Sequence, residues 1–567
     1  MSMTLLAPSD HGATPPARPA GTAPAAVAHL LAAAPSRERV RAGRVVSTSG
    51  SHVIILLVPD PHVLAMVQMG GLVCARAPGA TVYGQIEGLS TPMPLPGGEE
   101  QELRVAEISI IGEVPDAEGQ RVFRRGVSRL PTLDTAIHFA SSEDTLVVFD
   151  LPDRPSACIG TIHQDPAVPA RIGVDDLLCK HFAMLGTTGT GKSCALTLVL
   201  KRILEGCPHG HILLLDPHGE YGQAFGDSAE HLGADNFRLP HWLFSFDELV
   251  EIMFGDASRS MDAEIMCLRE LVLAARLAHA EPGIDRGVIT VDTPVPYRMS
   301  DVTRLLDVAI GSLENHGSIP AYLQIRARIA ALQNDRRYAL LFDTGVVVRD
   351  SLAELIGRIF RIPARGRPLA VLDLASIPSE VLNVVVAVIS RLAFDFAVWG
   401  GQRAPLLLVC EEAHRYAPQD TALGFEPAKR ALARIAKEGR KYGISLGVVS
   451  QRPSELDATI LSQCNTVFAF RMSNERDQGI IQASLSEASP AMFSALPFLG
   501  NGEAIGIGEG VPVPMRLRFA TLPDGERPRS TSASFSARWT AGDDEDTQLD
   551  RFVHALRDRK APGTAAG

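Results

Sequence analysis

The sequence contains no uninterrupted run of about eighteen apolar residues, the length at which a helix begins to span a bilayer. Its opening, MSMTLLAPSDHG, lacks the basic stretch and apolar core of a secretory leader, so the expected location is the cytoplasm, with no membrane partner. The eight cysteines form no C-x-x-C pair. Several of them (Cys194, Cys267, Cys410) fall inside apolar or glycine-loop patterns, which argues against a zinc site or a disulfide frame and for reduced thiols. A surplus of basic charge is missing too: 54 Lys and Arg stand against 65 Asp and Glu, a formal net charge of -11. That balance argues against a protein that coats nucleic acid over its whole surface, because neutralising phosphates takes clustered cations; it permits basic residues gathered on one inward face.

What is present is length and apolar content. With 567 residues and 46% hydrophobic side chains, roughly two or three folded units are expected. Residues 1–37 are rich in Ala, Pro and Gly and read as a tail, with a short helix at 24–34 as an option. Over 38–145, short β-branched segments such as HVIILLV and LRVAEISIIGEV, bounded by Gly, Pro or charge, predict a small β-barrel. Between 146 and 525, apolar strands alternate with helical stretches, which predicts an α/β unit with a parallel sheet covered by helices. The strands expected there are HFAMLG, HILLLD, LAVLDL, PLLLVCEE, SLGVVSQ and NTVFAF. The interval 243–360 carries helix-period segments instead and reads as a helical insertion; 526–567 is a polar tail ending in a helical LDRFVHALRD that could pack on a neighbour.

The sharpest motif is GTTGTGKS, which follows the apolar strand HFAML and precedes the helical run CALTLVLKRIL. Strand, glycine loop and helix are the context of a phosphate-binding P-loop. Nucleotide contacts are therefore assigned to Gly186, Thr187, Thr188, Gly189, Thr190, Gly191, Lys192, Ser193 and Cys194. Glycines let successive N–H groups wrap phosphate oxygens at a helix N-terminus, Lys192 reaches the β and γ oxygens of ATP, and the Ser193 hydroxyl can ligate Mg²⁺. A P-loop needs an acidic strand end nearby, and LLLVC runs straight into Glu411, the metal-side carboxylate, and Glu412, the candidate base for the attacking water. Both would also suit an acidic helix start.

Gln451 ends another apolar strand, where an amide can sense the γ-phosphate or hold the water, or simply sit on the surface. Arg440 ends a basic helix; it suits a finger that stabilises phosphoryl charge across a subunit interface, and equally a cation at a helix C-terminus. In the same helix Arg430, Arg434, Lys437 and Lys441 recur at steps of four, three and four, which puts them on one face. That stripe could line a DNA channel or be a solvated face.

Together these residues resemble the HerA family, in the HerA/FtsK branch of RecA-like P-loop ATPases. HILLLDPHGEY, VCEEAHRY, EGRKYG and SQRPSEL arrive in that family's order, and IGTIHQDPAVPARIGVDDLLCKHFAML is similar to its approach to the P-loop. The resemblance places Asp216 and Glu220 near the phosphates, with Asp216 among the catalytic residues, and adds Lys180 as a basic residue near the nucleotide. It implies a RecA-like core with a helical insertion behind a barrel like the HAS barrel, a C-terminal brace, and a homohexamer with ATP at its interfaces and double-stranded DNA in its channel. It further implies a separate effector chain, a nuclease or a sirtuin-like NADase, in DNA processing or antiphage defence. Two activities follow from it: an ATP-driven DNA translocase or helicase, or a nucleotide-controlled scaffold that regulates the effector without moving DNA. A rotary ATPase subunit is disfavoured by DPHGEY and EEAH, and a conjugative coupling protein by the missing anchor.

Overall fold

The computed structural model describes residues 39–91, 103–116, 121–255, 260–280, 285–312, 317–342, 350–420, 425–484, 490–529 and 535–541, with 549, 550, 552–554 and 557. The tail read at 1–37 and its optional helix lie outside the described residues. Of LDRFVHALRD, the described residues are helical.

Seven strands come first: β1 (Arg41–Ser49), β2 (His52–Leu57), β3 (Leu72–Ala77), β4 (Ala80–Ser90), β5 (Val105–Pro115), β6 (Arg124–Arg125) and β7 (Ala136–Phe139). Their order is β2-β1-β7-β3-β4-β5-β6, and a further β2–β5 pairing closes six of them into a barrel, with β6 outside the ring. Closure follows from alternation: Val53, Ile55 and Leu57 of β2 point inward while the residues between them are less buried. Val45, Val73, Ile86, Ile108 and Ile137 complete the barrel core.

Polar contacts fasten the barrel to the rest of the chain. Arg125 donates from Nε to Pro512 O at 2.8 Å and from Nη2 to Gly508 O at 2.7 Å and Val511 O at 2.6 Å, three carbonyls of one loop. Inside the junction, the wholly buried Asp144 accepts from Arg39 at 2.8 Å, Arg121 at 2.7 Å and the Tyr83 hydroxyl at 2.8 Å.

The second sheet has eleven strands: β8 (Ser156–Ile162), β9 (Pro169–Gly173), β10 (Phe182–Leu185), β11 (Ile212–Asp216), β12 (Ala229–Leu232), β13 (Leu369–Asp373), β14 (Leu406–Cys410), β15 (Ile444–Ser450), β16 (Thr466–Phe470), β17 (Glu503–Gly508) and β18 (Met515–Phe519). Their order is β12-β13-β11-β14-β15-β10-β16-β17-β18-β8-β9. Pairings from β12 to β16 are parallel; β17, β18, β8 and β9 extend the sheet antiparallel. The six strands expected from the sequence are β10, β11, β13, β14, β15 and β16. They read as continuous apolar runs because helices cover both faces. Ala183, Leu185, Leu213 and Leu215 enter one core, while Phe182, Met184, Ile212 and Leu214 enter the other.

Between β12 and β13 the chain is helical, with Phe246–Phe254, Asp262–His279, Met299–Gly311, Ile319–Asn334 and Leu352–Ile359 packed on the first of those cores. The long helix Ser379–Gly400 has a stretch, Val381–Gly400, with mean hydropathy 2.0, apolar enough to cross a membrane by composition although Asn383, Arg391 and Asp395 interrupt its apolar run. It is 72% buried within the protein, and Arg391 on it pairs with Glu248 at 2.9 Å, so it is the core helix of the sheet's cover.

Candidate active site

All parallel strands run the same way, so their C-terminal ends share one edge. There β10 delivers Gly186, β14 delivers Glu411 and Glu412, β15 delivers Gln451 and β11 delivers Asp216. The bend after β10 requires glycine. Gly186 has φ 157°, and a Cβ there would stand 2.6 Å from Phe470 Cβ; Gly191 has φ 101°. Gly191 caps the helix Lys192–Gly206 without a side-chain hydrogen bond, which leaves first-turn N–H groups to an outside acceptor, the arrangement that binds phosphate.

Lys192 is buried, and its ammonium donates to Thr187 O at 2.8 Å, as does the Thr190 hydroxyl at 2.8 Å. Burial lowers the Lys192 pKa, and Glu412, Glu411 and Glu220 oppose that. The loop's cation is thus surrounded by carboxylates before any phosphate arrives.

Ser193 Oγ lies 3.2 Å from Glu411 Oε1 and 3.2 Å from Glu220 Oε2; its one proton serves either. Glu411 Oε2 is buried with no hydrogen-bond partner among the described residues. Burial pushes the Glu411 carboxyl up to about 8; the Tyr221 hydroxyl opposes this, and Asp216, Glu220 and Glu412 add to it. A hydroxyl and two carboxylates with an unsatisfied oxygen form a hard, anionic donor set that fits Mg²⁺.

Glu412 is buried in the left-handed backbone region, φ 50° and ψ 45°, an unfavourable place for a residue with a Cβ. Its Oε1 accepts from Gln451 Nε2, while Gln451 Oε1 accepts from the Thr188 hydroxyl. One amide therefore joins the phosphate loop to the second glutamate across β15, which lies between β14 and β10.

Other residues singled out in the sequence fall elsewhere. Asp216 reaches the edge, but its carboxylate accepts the N–H groups of His218 at 3.3 Å, Glu220 at 3.2 Å and Tyr221 at 3.0 Å. It is spent on shaping the turn that presents Glu220, which makes it a positioning residue. Lys180 precedes β10, at the far end of that strand from the P-loop, and pairs with Glu509; it does not reach its own chain's nucleotide loop. Arg440 likewise precedes β15 and is exposed, with no ion-pair partner among the described residues. Cys194 is half-buried near Arg527.

Of the basic stripe, Arg430 stands 3.9 Å from Asp247 and Arg434 lies over the Phe394 ring at 4.2 Å. All four residues of the stripe are exposed, and these two also touch their own chain's helices.

Glu220 had a place in the sequence reading but no role. Arg471, whose carbonyl takes the Thr187 N–H at 3.1 Å and hydroxyl at 3.0 Å, escaped it, since FRMSN carries no motif.

A glycine loop at a helix start, a lysine within it, and strand-end carboxylates around a serine hydroxyl define a P-loop ATPase. Residues 157–393 match the family described as Helicase HerA, central domain. The DNA double-strand break repair helicase HerA of Pyrococcus furiosus is 28% identical over 467 residues, 74% of this chain and 78% of that protein. The Sulfolobus acidocaldarius protein of the same name is 26% identical over 398 residues, 69% of this chain and 73% of that one. A solved structure of VirB4 from Thermoanaerobacter pseudethanolicus is 14% identical, covers 65% of this chain and 98% of that chain, and superposes with a TM-score of 0.46. The chain is thus a P-loop ATPase whose residues 157–393 match the HerA central-domain family and which is similar to proteins named HerA over most of its length.

Proposed function

We propose that this ATPase is an ATP-driven DNA translocase of the HerA type, acting as a homohexamer on double-stranded DNA with a separate nuclease or sirtuin-like NADase as effector. The observation that carries the ATPase part is the meeting of Lys192, Ser193, Glu220, Glu411, Glu412 and Gln451 on one sheet edge. Relatives named as double-strand break repair helicases support DNA as the polymer on which the energy is used.

In the reading proposed, the P-loop amides and Lys192 bind the β and γ phosphates, and Lys192 exchanges Thr187 O for phosphate oxygen. Mg²⁺, held by Ser193, Glu411 and Glu220, supplies positive charge that offsets negative charge on the phosphates. Glu412 takes a proton from the attacking water, and Gln451, between Thr188 and Glu412, reports on the γ-phosphate. Arg440, on the opposite edge, acts on a neighbouring subunit's nucleotide.

The test is steady-state ATPase activity with and without duplex DNA. Stimulation by DNA, abolished in Glu412→Gln, is the expected result. A rate that DNA leaves unchanged would overturn translocation and leave the scaffold reading, in which Lys192→Ala still fails to regulate an effector.

A further inference from the structure

One polar side chain at this edge has no part in the hydrolysis proposed for it. His414, in the short 3-10 turn Ala413–Arg415 after the paired glutamates, brings Nδ1 to 3.1 Å from Ser450 Oγ and 3.3 Å from Glu412 Oε2. Ser450 ends β15 and Glu412 follows β14, so one ring nitrogen stands between the two strand ends that carry Glu412 and Gln451.

The protonation of that nitrogen follows from its neighbours. Ser450 Oγ already accepts the Arg452 N–H at 3.1 Å, which leaves it one lone pair and its own proton. A bare Nδ1 taking the serine proton would set its lone pair against those of Glu412 Oε2. An Nδ1–H, in contrast, finds an oxygen on either side. Burial holds the ring's pKa below the usual histidine value; Glu412 and Glu455 raise it, while Arg452 and Arg415 lower it further. A neutral ring with its proton on Nδ1 gives that proton to Ser450 Oγ, its hydrogen-bond partner, and has Glu412 Oε2 as the alternative acceptor 3.3 Å away.

We propose that His414 is a positioning residue for Glu412: its Nδ1–H holds Oε2 against the end of β15 and so fixes Oε1, the oxygen Gln451 reaches, as the proton acceptor. The inference rests on Glu412 acting as the base. In the structure only Oε1 accepts a hydrogen bond, from Gln451, and a donor turned to Oε2 would leave the carboxylate one orientation. Oε2 is buried and makes no hydrogen bond among the described residues, and His414 Nδ1 at 3.3 Å is the ring donor within reach of it.

The experiment measures kcat and KM for ATP on the full chain with Mg²⁺, for wild type, Glu412→Gln, His414→Ala, His414→Asn and His414→Gln. Asn sets an amide N–H where Nδ1 stands; Gln sets it where Nε2 stands. His414→Ala is expected to lower kcat about tenfold or more with KM unchanged, a loss within the range of misplaced proton-transfer groups. His414→Asn should recover most of the rate and His414→Gln little. Wild-type kcat in His414→Ala, KM rising together with the loss, or Asn performing no better than Ala would each overturn the role. Should His414→Ala fail to fold, judged by its melting temperature, the Asn and Gln pair decides: equal rates overturn the proposal. A fully active Glu412→Gln removes the base reading and this role with it, whereas an inactive Glu412→Gln beside a fully active His414→Ala removes only the role of His414.

Discussion

Ser193 Oγ and Glu220 Oε2 meet at 3.2 Å, so the first turn of the P-loop helix and the turn after β11 share a hydrogen bond. Glu220 is held for that meeting by Asp216, which accepts its N–H at 3.2 Å. Glu220→Ala removes one oxygen from the donor set that fits Mg²⁺. The half-saturating Mg²⁺ concentration for ATPase activity is expected to rise by about 10–100-fold, with the rate restored when Mg²⁺ is raised. A titration at fixed ATP checks this, and an unchanged midpoint would remove Glu220 from the metal's surroundings.

Glu411 sits in the opposite electrostatic position from a salt-bridged carboxylate. Its folded value of about 8 lies above the roughly 4.3 of an unfolded glutamate, so the folded state holds the proton more tightly. Burial of Glu411 therefore costs little below about pH 4, and the cost grows as pH rises towards 8, on the order of 3 kcal/mol at pH 7. Glu411→Gln keeps the shape and abolishes the charge. In metal-free buffer the variant should melt above wild type at pH 7.5 and close to it at pH 5, while losing ATPase activity. Identical melting curves at both pH values would contradict the burial argument.

Asp144 gives the reverse slope. Burial alone would raise its carboxyl, but bonds from Arg121, the Ser141 N–H, Tyr83 and the Ser141 hydroxyl hold it down to about 2. The folded value lies below the unfolded one of roughly 3.9, so its stabilisation is full above about pH 4 and lost as pH falls through about 2. Asp144→Asn leaves Arg39 and Arg121, which are partly exposed, without their anion. A loss on the order of 2 kcal/mol at neutral pH is expected, smaller than for a fully buried pair because water reaches the arginines. Chemical denaturation at pH 7 and pH 3 measures it, and an equal loss at both would exclude the ionic origin.

These contacts show which parts of the site the sequence can carry. β10, β11 and β14 are legible because strands buried on both faces must be apolar throughout, and the P-loop because its glycines, lysine and serine all fall within one short segment, GTTGTGKS. β12 (AEHL) and β18 (MRLRF) are short and mixed in polarity, and β17 (EAIGIG) is rich in glycine, so none carries the pattern of a core strand. The Thr188–Gln451–Glu412 link joins three distant segments, and no spacing encodes it. Helical spacing put Arg430 and Arg434 on one face but could not say that Asp247 and Phe394 stand opposite. Lys180 is close to Gly186 in sequence, yet a four-residue strand rising about 3.3 Å per residue carries the two to opposite edges of the sheet.

The same geometry sets the test for Arg440. It precedes β15 while the P-loop follows β10, its parallel neighbour, so the arginine and its own chain's nucleotide loop lie on opposite edges. If subunits pack with one edge against the other, Arg440 of one copy faces the phosphates of the next. Arg440→Ala should then bind ATP as wild type does in calorimetry but lose about a thousandfold in turnover, the lower end for a finger supplied in trans. Lys192→Ala, in contrast, should lose binding. Neither variant alone turns over, but a mixture of the two forms interfaces that pair an intact P-loop with an intact Arg440, and part of the ATPase rate should return. A mixture that stays inactive, although the two chains are shown to assemble together, would confine Arg440 to capping its own helix.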